Sequence, residues 1–393
     1  MNTPLVNPGL LKEIKRYGAA YISACFNCGN CSAVCPLSEG TESFPRRVIR
    51  LGQIGRTEEL LSSDEPWLCF YCGECTRTCP RQADPGGFMA AVRRFTIARL
   101  EPTGMGRLLL KNAVGGLVVT LALAIVLGLF LMRLKVRSGE AFQGWPFSAL
   151  VAYETVHAVG MGVGLLLAAS LAISVGHFVW LRTKRVGQQN LWNPPQVMGA
   201  LRRTLADVVT LRRHRSEVRP VGRQWLRDPW LIHIMIAGGF MGLFLATLLD
   251  FVFLYLLKDS LQLTIFWPAR ALGTAAGLVF LAGTLLAVVR RFRRDGPSAA
   301  LTHPSDGWLL FFLALLAVTG FWIEIVVTFG LHNTVSDWVL LVHSIAAMEL
   351  VLLAGATKLA HVLYRPLALF FMHLRAAPVG AVVPSRGCGA SQS

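Results

Sequence analysis

Hydrophobic and polar positions divide the chain in two. Up to about residue 105, apolar residues come in short clusters broken by polar stretches such as Thr41–Arg50 and Thr57–Glu65. Their spacing is helical, and no alternating strand pattern of useful length occurs. Beyond that point the apolar blocks become long. Ala113–Met132 carries no charge at all, Thr155–Leu181 is longer, and Trp230–Leu249 and Ala271–Val289 follow. Trp308–Leu331 is interrupted only by Glu324, and Trp338–Val362 only by His343, Glu349, Lys358 and His361. Each block exceeds or approaches the ~20 residues that cross a hydrocarbon core. The pattern predicts an all-α protein: a helical head over 1–105, and a membrane bundle over 106–375. Its spans are placed at about 112–132, 152–181, 229–257, 268–290, 307–331 and 336–364, and the remaining residues, 376–393, form a disordered tail.

Composition agrees with the pattern. The chain has 393 residues, 54% hydrophobic, only 15% charged, with a mean hydropathy of +0.52. A soluble domain carries about 25% charged residues, which excludes an ordinary cytosolic enzyme. The net charge of +16 then reads as a topology signal and not as a nucleic-acid footprint. The connection from Arg182 to Asp228 holds eleven basic residues against three acidic ones, and Arg290–Arg294 adds four. By the positive-inside rule that side is cytoplasmic, which places the head and the C-terminus there in the inner membrane. Arg133, Lys135 and Arg137 fall on the other side and are outvoted. The N-terminal segment has neither an apolar h-region nor a small-residue cleavage site, so no secretory signal is expected.

Eight of the nine cysteines lie in one pattern written twice. Cys25-x2-Cys28-x2-Cys31-x3-Cys35-Pro36 is repeated as Cys69-x2-Cys72-x2-Cys75-x3-Cys79-Pro80. This is the run that holds [4Fe–4S] cubanes, three thiolates from a tight loop and the fourth from the other run. It assigns Cys25, Cys28, Cys31 and Cys79 to one cluster, and Cys69, Cys72, Cys75 and Cys35 to the second. A zinc site would leave cysteines surplus, and disulfides are not expected on a cytoplasmic face. The helical character between the runs favours an all-helical two-cluster ferredoxin domain. Cys388 is read as a bystander.

Five histidines, His157, His177, His233, His343 and His361, fall in the predicted spans. Ionisable groups at membrane depth are costly and are usually functional. The 18 residues from His343 to His361 turn through 1,800° at ~100° per residue and rise about 27 Å, which puts both on one face of the last span at two depths. That arrangement suits two stacked b-type hemes, since no CxxCH attachment motif occurs. Depth pairs His361 with His233 on the inner side and His343 with His157 on the outer side, with His177 in reserve. His214, His303, His332 and His373 are expected to be solvated. Glu324, Glu349 and Lys358 are candidates for a quinone proton relay, or for structural pairing.

The cysteine runs resemble those of the iron–sulfur C-type subunits of heterodisulfide reductases. The body resembles the cytochrome b subunits of respiratory nitrate reductase and heterodisulfide reductase, through His233, His343, His361 and Tyr364-Arg-Pro-Leu. Both halves in one chain are similar to the membrane-subunit family of quinone-interacting membrane-bound oxidoreductases. Leu243 departs from the nitrate reductase pattern, which has a second histidine there, so the outer heme lacks its usual partner. The resemblance implies one or two hemes b, menaquinone as substrate, and two soluble flavin and iron–sulfur subunits. It further implies a link to adenylylsulfate reductase in dissimilatory sulfur metabolism. A heterodisulfide reductase- or hydrogenase-type anchor is the alternative of the same kind. A redox-sensing transporter or sensor is the alternative of another. No Rossmann, P-loop or zincin motif is present, so no complete flavin site is expected in this chain and its catalytic residues stay unassigned.

Overall fold

A computed structural model describes residues 5–38, 44–134, 153–186, 193–210, 228–253, 267–294 and 303–375. Among these residues all regular structure is helical. The head comprises α1 (Leu10–Lys15), α2 (Asn30–Ala33), α3 (Arg46–Gln53), α4 (Thr57–Leu61), α5 (Glu65–Leu68), α6 (Glu74–Arg77), α7 (Pro85–Leu100) and α8 (Met105–Leu109). The body comprises α9 (Ala113–Arg133), α10 (Tyr153–Thr183), α11 (Pro194–Thr210), α12 (Pro229–Phe251), α13 (Trp267–Phe292), α14 (Pro304–Phe329), α15 (Thr334–Leu352) and α16 (His361–Arg375).

The head is organised round α7. Asp84 caps its N-terminus by accepting from the Gly87 N–H at 3.0 Å, and Pro85 occupies the first turn, where a missing N–H costs nothing. Phe88, Ala91, Val92 and Phe95 of α7 are fully buried against Leu10, Ile14 and Tyr17.

Six helices, α9, α10 and α12 to α15, are long and apolar enough to cross a membrane. Their outward faces carry exposed Leu117, Leu121, Ile125, Leu165, Phe244 and Phe311. In water that would be an aggregation liability; in hydrocarbon it is the ordinary surface. Because lipid gives no hydrophobic drive for helix pairing, small residues let backbones approach closely. A Cβ added at Gly239 of α12 would lie 2.7 Å from Phe280 of α13, and one at Gly283 of α13 would lie 2.7 Å from Met235.

The last expected span, 336–364, is not one helix. α15 ends at Leu352, two short 3-10 turns follow at Ala354–Ala356 and Lys358–Ala360, and Thr357 between them is extended. The break is held by packing: a Cβ on Gly355 would lie 3.2 Å from Leu171 of α10, and one on Gly106 would lie 3.3 Å from the Ala356 carbonyl. The break directly follows the last helix of crossing length, Thr334–Leu352, and its residues Leu353, Ala356 and Thr357 are 0–3% exposed. The helical phase between His343 and His361 therefore does not carry across the break. The expected extension of the third span to 257 and the tail 376–393 lie outside the described residues.

Head and body share one hydrophobic core, in which Trp67, Phe88 and Phe95 join Phe178, Leu353 and Tyr364. Asp64 sits at the joint. It receives Arg182 of α10 at 2.6 Å, with both side chains no more than 2% exposed, and it also pairs with Arg375 of α16. Arg182 donates to the Ser63 carbonyl at 2.8 Å, and Arg185 to that of Ser62 at 3.0 Å.

Candidate functional site

The two cysteine runs fold alike. Asn27 (φ 61°) and Gly29 (φ 93°) of the first run match Tyr71 (φ 64°) and Gly73 (φ 87°) of the second. Left-handed backbone flanking the middle cysteine curls each loop inward, and glycine adopts that conformation without strain. A short helix, α2 or α6, then carries the third cysteine. Cys25, Cys28, Cys31 and Cys79 line one cavity of about 300 Å³, its open mouth included. Cys35, Cys69, Cys72 and Cys75 line a second, of about 400 Å³. The runs are laced together where the Asn30 amide donates to the Thr78 carbonyl at 2.6 Å. The Ala83 N–H meets the Cys79 sulfur at 3.4 Å.

Among the described residues, no three histidines, cysteines or carboxylates converge on a single metal ion. Four sulfurs spread round a larger void fit a cubane better than a closed zinc tetrahedron. Burial, with the neighbouring thiols adding to it, pushes Cys31 and Cys75 up and Cys35 up to about 12. Thiols so placed would lose their protons to solvent on binding iron, which would supply the positive charge that thiolates require.

In the body, His233 near the start of α12 and His361 at the start of α16 face one another. Their ring centroids are 6.2 Å apart and the rings are inclined by 46°. Two imidazole nitrogens each about 2 Å from a shared metal put their ring centres roughly 6 Å apart. His361 Nδ1 lies 2.6 Å from the Lys358 carbonyl. A carbonyl only accepts, so Nδ1 carries the proton and Nε2 is left unprotonated. Ligating histidines are commonly oriented this way. Lys358 itself pairs with Asp306 at 3.0 Å.

His343 is turned toward α14. Its Nδ1 lies 2.8 Å from the Thr319 hydroxyl, which donates to the Leu315 carbonyl at 2.6 Å. The ring N–H is then the donor toward Thr319, and Nε2 is again left over. His157 has Asp250 of α12 as an electrostatic neighbour, and His177 lies beside Trp180. Of the other polar groups in the spans, Glu324 is paired with Arg270 at 3.0 Å. Glu349 is 2% exposed with Oε1 lacking a hydrogen-bond partner among the described residues.

Two histidines expected to be solvated are not. His303 caps α14 through Nδ1, and His373 is buried against Asp207 at 3.1 Å. His214 lies outside the described residues. The joint residues Asp64, Trp67 and Arg182 were not among the sequence candidates, and Tyr364 entered only through the resemblance. Trp67, two residues before Cys69, stacks edge-on to Phe178 and Tyr364 with centroids 5.7 and 5.0 Å away. The nearest sequence signal is the position of Trp67 before one motif and of Tyr364 after His361.

Residues 21–83 match the family described as 4Fe-4S dicluster domain. A protein of Archaeoglobus profundus, named as like the C subunit of heterodisulfide reductase, is 39% identical over 82 residues, covering 21% of this chain and 44% of the relative. The iron–sulfur C subunit of the CoB–CoM heterodisulfide reductase of Methanopyrus kandleri is 38% identical over 71 residues, covering 16% and 37%. The chain thus spans less than half the length of either relative. No solved structure matches. Residues 21–83 thus match the 4Fe-4S dicluster domain family and are similar to the C subunits of heterodisulfide reductases, and they precede a helical body with six helices long and apolar enough to cross a membrane.

Proposed function

We propose that this chain is the membrane subunit of an oxidoreductase complex, linking the menaquinone pool to soluble flavin and iron–sulfur subunits. Hemes and cubanes, when bound, carry electrons one at a time, whereas a quinone exchanges two electrons with two protons. The residues of this chain supply the holding and the spacing. Nε2 of His233 and of His361 would hold the inner heme b. His343 offers the same nitrogen for an outer heme, with His157 as its assigned partner. Cys25, Cys28, Cys31 and Cys79 would hold one cubane, and Cys69, Cys72, Cys75 and Cys35 the other. The head-side end of the bundle is taken as cytoplasmic from its arginines and lysines.

The observation that carries this reading is the facing pair His233 and His361, 6.2 Å apart, at the head of the helix on which the dicluster domain rests. A transporter or sensor has no use for such a pair. The resemblance to the membrane subunits of quinone-interacting oxidoreductases implies adenylylsulfate reductase as the enzyme served. The likeness to the C subunits of heterodisulfide reductases favours a second reading that differs in the soluble partner only. The test is an optical spectrum of the purified, dithionite-reduced chain with an iron count. A b-type α-band and about eight non-heme irons are expected. A chain that purifies without heme would exclude the membrane relay.

A further inference from the structure

The two cysteine cavities differ in their surroundings. The second cavity belongs to the segment Trp67–Cys75, and this segment lies on the body. Trp67 is 1% exposed between Phe178 of α10 and Tyr364 of α16. The Arg365 guanidinium stands 5.1 Å over the Phe70 ring, and Tyr71 is within electrostatic reach of Asp306 in the first turn of α14. Tyr364 and Arg365 are the residues one turn after His361, and Asp306 pairs with the lysine whose carbonyl orients His361. Every one of these contacts ties the second cavity to the His233–His361 end of the bundle.

The first cavity has no such cover among the described residues. Cys28 on its wall is exposed, Phe26 beside it is 60% exposed, and Tyr21 is 65% exposed. The groups that brace it belong to the head: Gln53 donates to the Cys25 carbonyl at 2.9 Å, and the Arg81 guanidinium stands over Phe26. Arg46, on the cavity wall, is exposed.

We infer that the cavities have fixed and different places in the electron path. The Cys69–Cys72–Cys75–Cys35 cavity is the membrane-side relay, and the Cys25–Cys28–Cys31–Cys79 cavity is the solvent-side terminal where a soluble redox partner exchanges electrons. The order holds whichever way electrons run. It rests on the reading that each cavity holds an iron–sulfur cluster.

The test is EPR of the purified full chain in detergent, reduced in steps, with and without a dysprosium–EDTA chelate as a water-borne relaxing agent. Arg46→Gln labels the first-run signal without removing a ligand, because loss of a neighbouring cation shifts that signal to lower potential. Should the shift be too small to read, Cys28→Ser labels the same signal. The labelled signal is expected to show a several-fold larger increase in relaxation rate than the other. Equal responses, or a larger response of the unlabelled signal, would overturn the order while leaving two clusters in place. Two missing signals in a chain without iron would overturn the cluster reading and the order together.

Discussion

His361 presents its imidazole to His233 at 6.2 Å between ring centres while its own Nδ1 is engaged by the Lys358 carbonyl at 2.6 Å. One ring is thus locked in tautomer and direction before any ligand arrives. His361→Ala and His233→Ala should each abolish the same b-type absorbance, because a bis-imidazole site fails with either ligand. Loss of heme with His177→Ala but not with His233→Ala would move the inner ligand to α10. His343→Ala should remove a separate signal, and His157→Ala the same one.

The cavity that Cys35 lines is that of the second run, not its own. Cys35→Ser should therefore alter the EPR signal that Cys72→Ser alters, and Cys79→Ser the one that Cys28→Ser alters. Changes confined to each cysteine's own run would refute the crossed pairing.

Gly29 and Gly73 hold left-handed backbone, and a side chain at Gly29 would meet nothing nearer than 3.6 Å, the Arg46 Cδ. Gly29→Ala should then cost only backbone strain, about 1–2 kcal/mol, with clusters still assembling. Gly87→Ala is different, since its Cβ would collide with the Asp84 carboxylate that caps α7. It should lower the melting temperature of the head more than Gly29→Ala does.

His303 couples the joint to pH. Burial, with Arg94 adding to it and Asp306 opposing, lowers its pKa to about 4 from 6.5; Lys358 is the other charge facing it. Between those two values the unfolded chain binds the proton more readily, so stability rises with pH there and is lost as pH falls from about 6.5 toward 4. His303→Asn keeps a capping oxygen without the titration. Its melting temperature should fall less steeply over that pH range, and parallel curves would show that His303 does not contribute.

Removing Arg182 should be the most damaging single change at the joint. The partly orphaned Asp64 and the Ser63 carbonyl stay buried, and breaking one partner of a buried pair typically costs about 3–5 kcal/mol. Proteolysis of Arg182→Ala between head and body should accelerate, and Lys184→Ala, whose pair with Glu58 is exposed, should leave the rate unchanged.

The membrane-crossing helices and the cysteine runs were legible because each is a local property, an apolar length or a fixed spacing. That Cys79 lines the first run's cavity and Cys35 the second's is a long-range relation, expected from the motif and not from local spacing. The break at Leu353–Ala360 was not legible, since Ala-Gly-Ala-Thr-Lys contains no proline and reads as continuing helix. It is packing against Leu171 and Gly106 that interrupts it. Asp64 and Arg182 stand 118 positions apart, beyond any periodic signal. His373 passed for a loop residue because its partner Asp207 belongs to another helix, α11. His233 and His361 were paired by depth and by the resemblance, and no local signal set their mutual approach.

Tethered carrier domains in many redox machines swing between donor and acceptor, and turnover then waits on the stroke. The Asp64 clamp, gripped by Arg182 from α10 and by Arg375 from α16, ties this head to the body and opposes such a stroke. Tunnelling falls off exponentially with separation, so a joint that does not breathe keeps the interval between the histidine pair and the second cysteine cavity constant. On the proposed function, any gating would then lie at the two ends of the chain, where mobile reactants would arrive, and not between them.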